Sequence, residues 1–133
     1  MAKTFHAQLL TPNGSEFDGE IIGMKVPGTD GNFEMLYNHA PIISTLTYGR
    51  VVVRTADDKT ITFAVSGGFV EMNDNNVTLL AEEAIKAEQI DVGKAKEELE
   101  KAKKALQDKL DNREIVENAV KRADNLIKTA LSK

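Results

Sequence analysis

His6 and His39 are the only imidazoles in a chain that contains no cysteine. Any imidazole-based general-base or metal chemistry would therefore have to use these two side chains. Neither stands in a Ser-His-Asp arrangement or at metal-ligand spacing, so no catalytic residue and no metal site is expected. His6 falls in an alternating segment and reads as a strand residue, while His39 sits in the loop Tyr37-Asn38-His39-Ala40-Pro41. The lack of cysteine excludes disulfides and thiolate catalysis. No glycine-rich phosphate loop is present. What remains is charge. Asp91 precedes an alanine- and lysine-rich run and has the short carboxylate of a helix N-cap. Lys121 and Arg122, beside Asp124, read as the exposed side of a helix, either solvated or facing an acidic partner.

The elements that must position these residues divide the chain in two. Thr60-Ile61-Thr62-Phe63-Ala64-Val65 alternates polar and apolar residues, the period of a half-buried strand. Ser66-Gly67-Gly68 follows, and Phe69-Val70-Glu71-Met72 resumes the strand pattern up to the turn cluster Asn73-Asp74-Asn75-Asn76. Paired glycines supply backbone angles that a Cβ forbids, or admit a close chain crossing, so a bulge or sandwich corner is expected there. Residues 5–11 form a strand closed by Pro12-Asn13-Gly14, and residues 17–21 form a short edge strand. Ile22, Met24 and Val26 share one face of the next strand, and Pro27-Gly28 fits the central pair of a type II turn. With residues 33–36, 48–55 and 77–82, this makes about eight to ten short strands and no helical period. Such spacing predicts a flattened sandwich or barrel.

From Asp91 onward there is neither aromatic nor proline. Val92, Ala95, Leu99, Ala102 and Leu106 recur at steps of three and four, a narrow seam. After Asp111-Asn112, a second stripe runs through Ile115, Ala119, Ala123, Leu126, Ile127 and Ala130. Two helices of about 19 residues, near 28 Å long, form an antiparallel hairpin. The fold class is thus α+β, with a sandwich domain over residues 1–86 and a helical hairpin over 87–133. A seam of alanines buries little area at about 25 cal/mol per Å², so the hairpin is expected to be marginal alone. It can dock, open, or lie along a partner.

Composition bounds the function further. At 133 residues and 41% apolar, the chain has enough core to fold without staples. Its net charge of −4 is unevenly spread, with 5 basic and 11 acidic residues in 1–84 against 12 and 10 in 85–133. An acidic first domain argues against nucleic-acid binding. No apolar run approaches the roughly 18 residues of a membrane span, and the N-terminus has no signal-peptide core. A soluble protein is expected.

Asn38-His39-Ala40-Pro41, then Ser66-Gly67-Gly68-Phe69-Val70-Glu71, then Val77-Thr78-Leu79-Leu80-Ala81, then two helices, is an order that spans nearly the whole chain. It resembles the epsilon subunit of F-type rotary ATP synthases, of the bacterial type with a C-terminal helical hairpin. The resemblance implies a non-catalytic central-stalk subunit of a proton- or sodium-driven ATP synthase. Such a subunit binds gamma and the c-ring, and its hairpin meets the beta (and alpha) subunits to restrain ATP hydrolysis. It would lie peripherally on the cytoplasmic face of a bacterial cell membrane, membrane-associated only through the complex.

The family's c-ring contact loop falls on Asn32, Phe33, Glu34 and His39. Where members commonly show G-E-L-G-I-L-P-G-H, this chain has Gly31-Asn32-Phe33-Glu34-Met35-Leu36-Tyr37-Asn38-His39, with the acidic residue moved two places and the second glycine gone. The family's basic contact with the catalytic head falls on Lys121 and Arg122. Some bacterial relatives bind ATP through I-D-x-x-R-A, matched here by Ile90-Asp91-Val92-Gly93-Lys94-Ala95. Lysine replaces the arginine, a flexible point charge in place of a planar fork. A supporting glutamate and a second-helix arginine fall on Ile85 and Leu126. The resemblance therefore implies no resident cofactor, with ATP as a weak regulatory ligand through Asp91, Lys94 and Arg122. Two other classes stay open: a nucleotide-sensing regulatory module, and a stand-alone β-sandwich ligand-binding domain with a helical dimerisation tail.

Overall fold

The computed structural model describes residues 3–107 and 113–131. Among them are seven strands: β1 (Phe5–Thr11), β2 (Gly14–Gly28), β3 (Gly31–Leu36), β4 (Ile42–Thr55), β5 (Thr60–Asn73), β6 (Asn76–Ala81) and β7 (Ala84–Lys86). A single 3-10 turn (Ala87–Gln89) leads into α1 (Val92–Gln107) and α2 (Arg113–Leu131). The strands run in the order β1-β6-β5-β4-β2-β3, and β2 also pairs with β1, so five of them close a ring. β1 and β6 are parallel. β7 adds to β5.

Seven strands replace the expected eight to ten because three of them are long and bent. The first half of β2 pairs with β1 and its second half with β3 and β4. The first half of β5 lies between β4 and β7, its second half between β4 and β6. At each bend the inward face changes parity. Phe63 and Val65 point into the core before the corner of β5, and Val70 and Met72 after it. Gly67 and Gly68, at φ +104° and +128°, make that change. A Cβ on Gly68 would lie 2.0 Å from the carbonyl oxygen of Leu80, so no other residue fits. A period-2 pattern broken in this way reads as the end of a strand, although the backbone continues.

Two local readings change for the same reason. Pro27 and Gly28 are not a turn; they belong to β2 and pair with Asn32 and Gly31, leaving Thr29-Asp30 as the reversal. Ile21 is fully buried and Ile22 only half-buried, because β2 shifts register between Ile21 and Gly23.

One core fills the sandwich, with Phe5, Leu9, Met24, Met35, Phe63, Met72 and Leu79 among its members. A second, smaller cluster lies outside it, where Ala64 on the outer face of β5 meets Ala95 and Leu126, flanked by Ile85, Ile90 and Ile127. The helices are antiparallel, since the start of α1 lies beside the end of α2. α2 packs against β4 and β5. The hairpin is docked. Its second stripe is only half used, with Ala123, Leu126 and Ala130 buried but Ala119 exposed and Ile115 62% exposed. Burial begins where α2 reaches the sheet. The expected turn at Asp111-Asn112 lies outside the described residues, as does the Leu106 side chain.

Candidate functional site

The polar contacts that hold the hairpin converge on Arg122. Its Nε donates to Glu83 Oε1 at 2.7 Å, one terminal nitrogen to Glu83 Oε2 at 3.0 Å, and the other to Glu98 Oε2 at 3.0 Å. Glu83 lies between β6 and β7, Glu98 on α1 and Arg122 on α2. One guanidinium fork thus ties three segments together, with the bidentate geometry that lysine cannot reproduce. Ser66, at the glycine corner, completes the arrangement by donating to Glu83 Oε1 at 3.2 Å. The Arg122 hydrogen bonds hold the Glu83 carboxyl below the ordinary carboxylate range, and Arg122 is pushed up in return. Arg122 is therefore half-buried and engaged, not a freely exposed charge as the sequence pattern suggests, whereas Lys121 is exposed. Adjacent helix positions face about 100° apart, so one faces the sheet and the other solvent.

A second tie lies one turn further on. Asn125 Nδ2 donates to the carbonyls of Gly49 (3.0 Å) and Val65 (3.1 Å), and its Oδ1 accepts from Thr129 at 3.5 Å. Gly49 is small for a reason: a Cβ there would meet the Pro27 ring at 2.5 Å. Glu83, Glu98 and Asn125 escaped the sequence reading because each contact spans many residues, and no local spacing announces it. The Ser66-Gly67-Gly68 corner was the one signal nearby.

Asp91 caps α1 as expected, accepting the Lys94 N–H at 3.0 Å. Asp91, Lys94 and Arg122 share a cavity of about 210 Å³ with Ile85, Gln89, Glu98 and Leu126. That volume is below the roughly 300 Å³ at which ligand pockets begin. Three of the five Arg122 N–H donors already point to carboxylates. In this docked arrangement Arg122 is thus committed to Glu83 and Glu98, and Asp91 to the helix cap.

Asn32, Phe33, Glu34 and His39 do not form one cluster. Asn32 and Glu34 are exposed on β3, which pairs on one side only, with β2, and Phe33 turns inward onto the core. His39 lies beyond the far end of β3, where its N–H donates to Leu36 O and its Nδ1 meets Ala40 O at 2.7 Å. Beside it, Asn38 and Asn75 clasp the β3–β4 loop to the β5–β6 turn. The Asn38 N–H donates to Asn75 Oδ1 at 2.7 Å, and Asn75 Nδ2 to Asn38 Oδ1 at 2.9 Å. Both are in the left-handed region, which asparagine tolerates better than most residues. His6 bridges Asp18 (2.8 Å) and Glu20 (3.1 Å) on the surface of β1 and β2, and no metal-binding group occurs among the described residues.

The outer surface of β4, β5 and β6 past the glycine corner carries three of the five large apolar side chains that the described part of the sandwich exposes, the others being Leu36 and Tyr37. Ile43 is 72% exposed, Phe69 45% and Leu80 37%. Phe69 pairs directly with Thr45 and Leu80, and Ile43 with Glu71, so the three apolar side chains form a strip on one face with Thr45 and Glu71 among them. The hairpin covers the outer surface before the corner and leaves this strip open.

Comparison with known proteins fits this architecture. A family model described as the beta-sandwich domain of the ATP synthase delta/epsilon chain matches residues 4–87. The ATP synthase epsilon chain of Salinibacter ruber is 39% identical, with 81% of this chain and 78% of that one covered. That of Desulfitobacterium hafniense is 40% identical over 106 residues, covering 80% of each. Among solved structures, a chain of the Euglena gracilis mitochondrial ATP synthase (OSCP, F1 and c-ring) superposes with a TM-score of 0.86. It covers 96% of this chain and 81% of that one at 24% identity, a likeness of fold. With the family model spanning the sandwich and relatives this similar along four-fifths of both chains, the chain belongs to the family of ATP synthase epsilon chains.

Proposed function

We propose that the chain is a non-catalytic rotor subunit in the central stalk of an ion-driven ATP synthase. Its sandwich binds gamma and the c-ring, and its hairpin restrains ATP hydrolysis when it leaves the sandwich for the beta and alpha subunits. The complex then holds it peripherally at the cytoplasmic face of the membrane. The observation that carries this reading is the division of the sandwich surface at the glycine corner. One side is occupied by the chain's own helices. The other presents Ile43, Phe69 and Leu80 to solvent, beside a groove of about 320 Å³ lined by Pro41, Ile43 and Met72. An exposed apolar strip of this kind marks an interaction site. The Asn38–Asn75 clasp next to it fixes the loop that carries His39, a rigid presentation suited to a second contact.

The test is assembly. Ile43→Asp and Phe69→Asp are expected to abolish co-purification with gamma while leaving the far-UV circular dichroism of the isolated chain unchanged. Co-purification unaffected by both variants rules out this strip as the gamma contact. The nucleotide-sensing alternative gains no support from the Arg122 geometry. Because lysine replaces the family's arginine, calorimetry with ATP on the isolated chain is expected to show at most weak binding, and micromolar binding that Lys94→Gln abolishes would restore that alternative.

A further inference from the structure

Nine asparagines occur in the chain, and only Asn13 is followed by glycine. It sits in the turn between β1 and β2, where Thr11 pairs with Gly14 and leaves Pro12 and Asn13 at the centre. Proline suits the first central position, and Gly14 follows at φ +122°, a backbone angle that favours glycine. Asn13 is exposed. Its backbone N–H donates to Thr11 Oγ1 at 3.2 Å, but its carboxamide makes no hydrogen bond among the described residues. A Cβ placed on Gly14 would meet nothing within 4 Å, so the space beside this peptide link is open. The other asparagines differ. Each is followed by a residue whose side chain crowds the next nitrogen. The Asn38 and Asn75 carboxamides also hold each other, and that of Asn125 is bound to two strand carbonyls.

From this combination we propose that Asn13 is a deamidation site, at which the chain modifies itself with water as the only co-reactant. Asparagine is among the thermolabile side chains, and glycine hinders attack by its own nitrogen least. The Gly14 nitrogen gives up its proton and bonds to the Asn13 side-chain carbonyl carbon. The carboxamide C–N bond breaks, ammonia leaves with that proton, and a five-membered succinimide remains. Water then opens the ring. Breaking the bond from nitrogen to the side-chain carbonyl leaves aspartate; breaking the bond to the main-chain carbonyl leaves isoaspartate, with one extra CH2 in the backbone. Either product takes the net charge of −4 one unit further negative. The extra CH2 also displaces the Thr11–Gly14 pair and loosens the end of β1. That end adjoins the exposed apolar strip, because Leu10 pairs with Leu80. A carboxylate there must shed water wherever the strip is covered, at a cost in free energy. On the reading of that strip as the gamma contact, the modification weakens assembly as the chain ages.

The test compares the full chain, fresh and after incubation in warm, mildly alkaline buffer, by ion exchange and peptide mapping. A more acidic species is expected, with the change confined to the peptide that holds Asn13 and isoaspartate as its larger component. Asn13→Gln, which would have to close a six-membered ring, should lose that species, and Asn32→Gln should keep it. Hydrogen exchange at Leu10 and Ser15, the neighbouring pair, should rise about tenfold in the isoaspartate form, the worth of one backbone hydrogen bond. The aged chain should also carry down severalfold less gamma than the fresh one, with Asn13→Asp, which adds the charge alone, in between. The proposal is overturned if incubation leaves Asn13 intact, if the acidic species maps mainly to another asparagine, or if it persists in Asn13→Gln. Ile43→Asp separates this proposal from the reading of the strip. If Ile43→Asp loses gamma while the aged chain keeps it, the consequence for assembly is overturned. If Ile43→Asp keeps gamma too, the strip is not the gamma contact, and the peptide map alone decides the modification.

Discussion

Arg122 and Lys121 are neighbours in sequence, but one is tied to Glu83 and the other is exposed, so their replacement should act in opposite directions. Replacing Arg122 by alanine removes two hydrogen bonds to Glu83 on the sandwich and one to Glu98 within the hairpin, so the expected outcome is release. If the released hairpin is the restraining form, as proposed above, ATP hydrolysis inside the complex should then fall rather than rise. Lys121→Gln leaves docking intact and should weaken only the contact with an acidic partner, raising hydrolysis. Steady-state hydrolysis by the two single variants distinguishes these signs. The ion pair is more than a third exposed, so a double-mutant cycle of Arg122→Ala with Glu83→Gln should return only about 1 kcal/mol of coupling. Its pH dependence follows from the lowered Glu83 carboxyl. The stabilisation is present above the unfolded carboxylate value and is lost as pH falls through the lower folded one. Thermal midpoints measured down the acid range should show this loss in the native chain and not in Glu83→Gln. Gly68→Ala is a different kind of residue effect. It places a methyl against a backbone oxygen at a positive φ, and should cost about 3 kcal/mol or more in urea unfolding. Gly67→Ala, with 3.7 Å to its nearest neighbour, should cost about 1 kcal/mol.

At the scale of elements, what was legible in the sequence was what a local period can carry. The helical seams, the cap at Asp91 and the corner at Ser66-Gly67-Gly68 all show in runs of a few residues. The continuity of β2, β4 and β5 does not, because a face swap at a bend looks like a break between Ile21 and Ile22 or after Val65. The partners of Arg122 were hidden for another reason: Glu83 lies 39 residues away and only the fold adds them to one site. Among the described residues, the main ties between sandwich and hairpin are the small cluster around Ala64 and Leu126 and the two polar contacts of Arg122 and Asn125. Residues 1–86 alone should therefore fold cooperatively in chemical denaturation. Removing 87–133 from the complex should raise hydrolysis while leaving coupled synthesis largely intact. If hydrolysis is unchanged under restraining conditions, the hairpin is a structural element only.

Over the whole molecule, the parallel pairing of β1 with β6 has a consequence for synthesis at the ribosome. Residues 6–10 of the first strand lie beside residues 76–80 of the last long one. The barrel-like ring cannot close until the emerging chain has delivered its far end, so the early hairpins wait with an open edge. Contacts this distant in sequence make folding slow relative to a helical protein of equal size. An unclosed edge is also the form most exposed to pairing with other chains. A nascent chain halted before residue 76 should accordingly be digested by protease along its whole length, and one halted after residue 86 should yield a protected sandwich. The order of vectorial synthesis, sandwich first and helices last, then gives the hairpin a finished surface on which to settle.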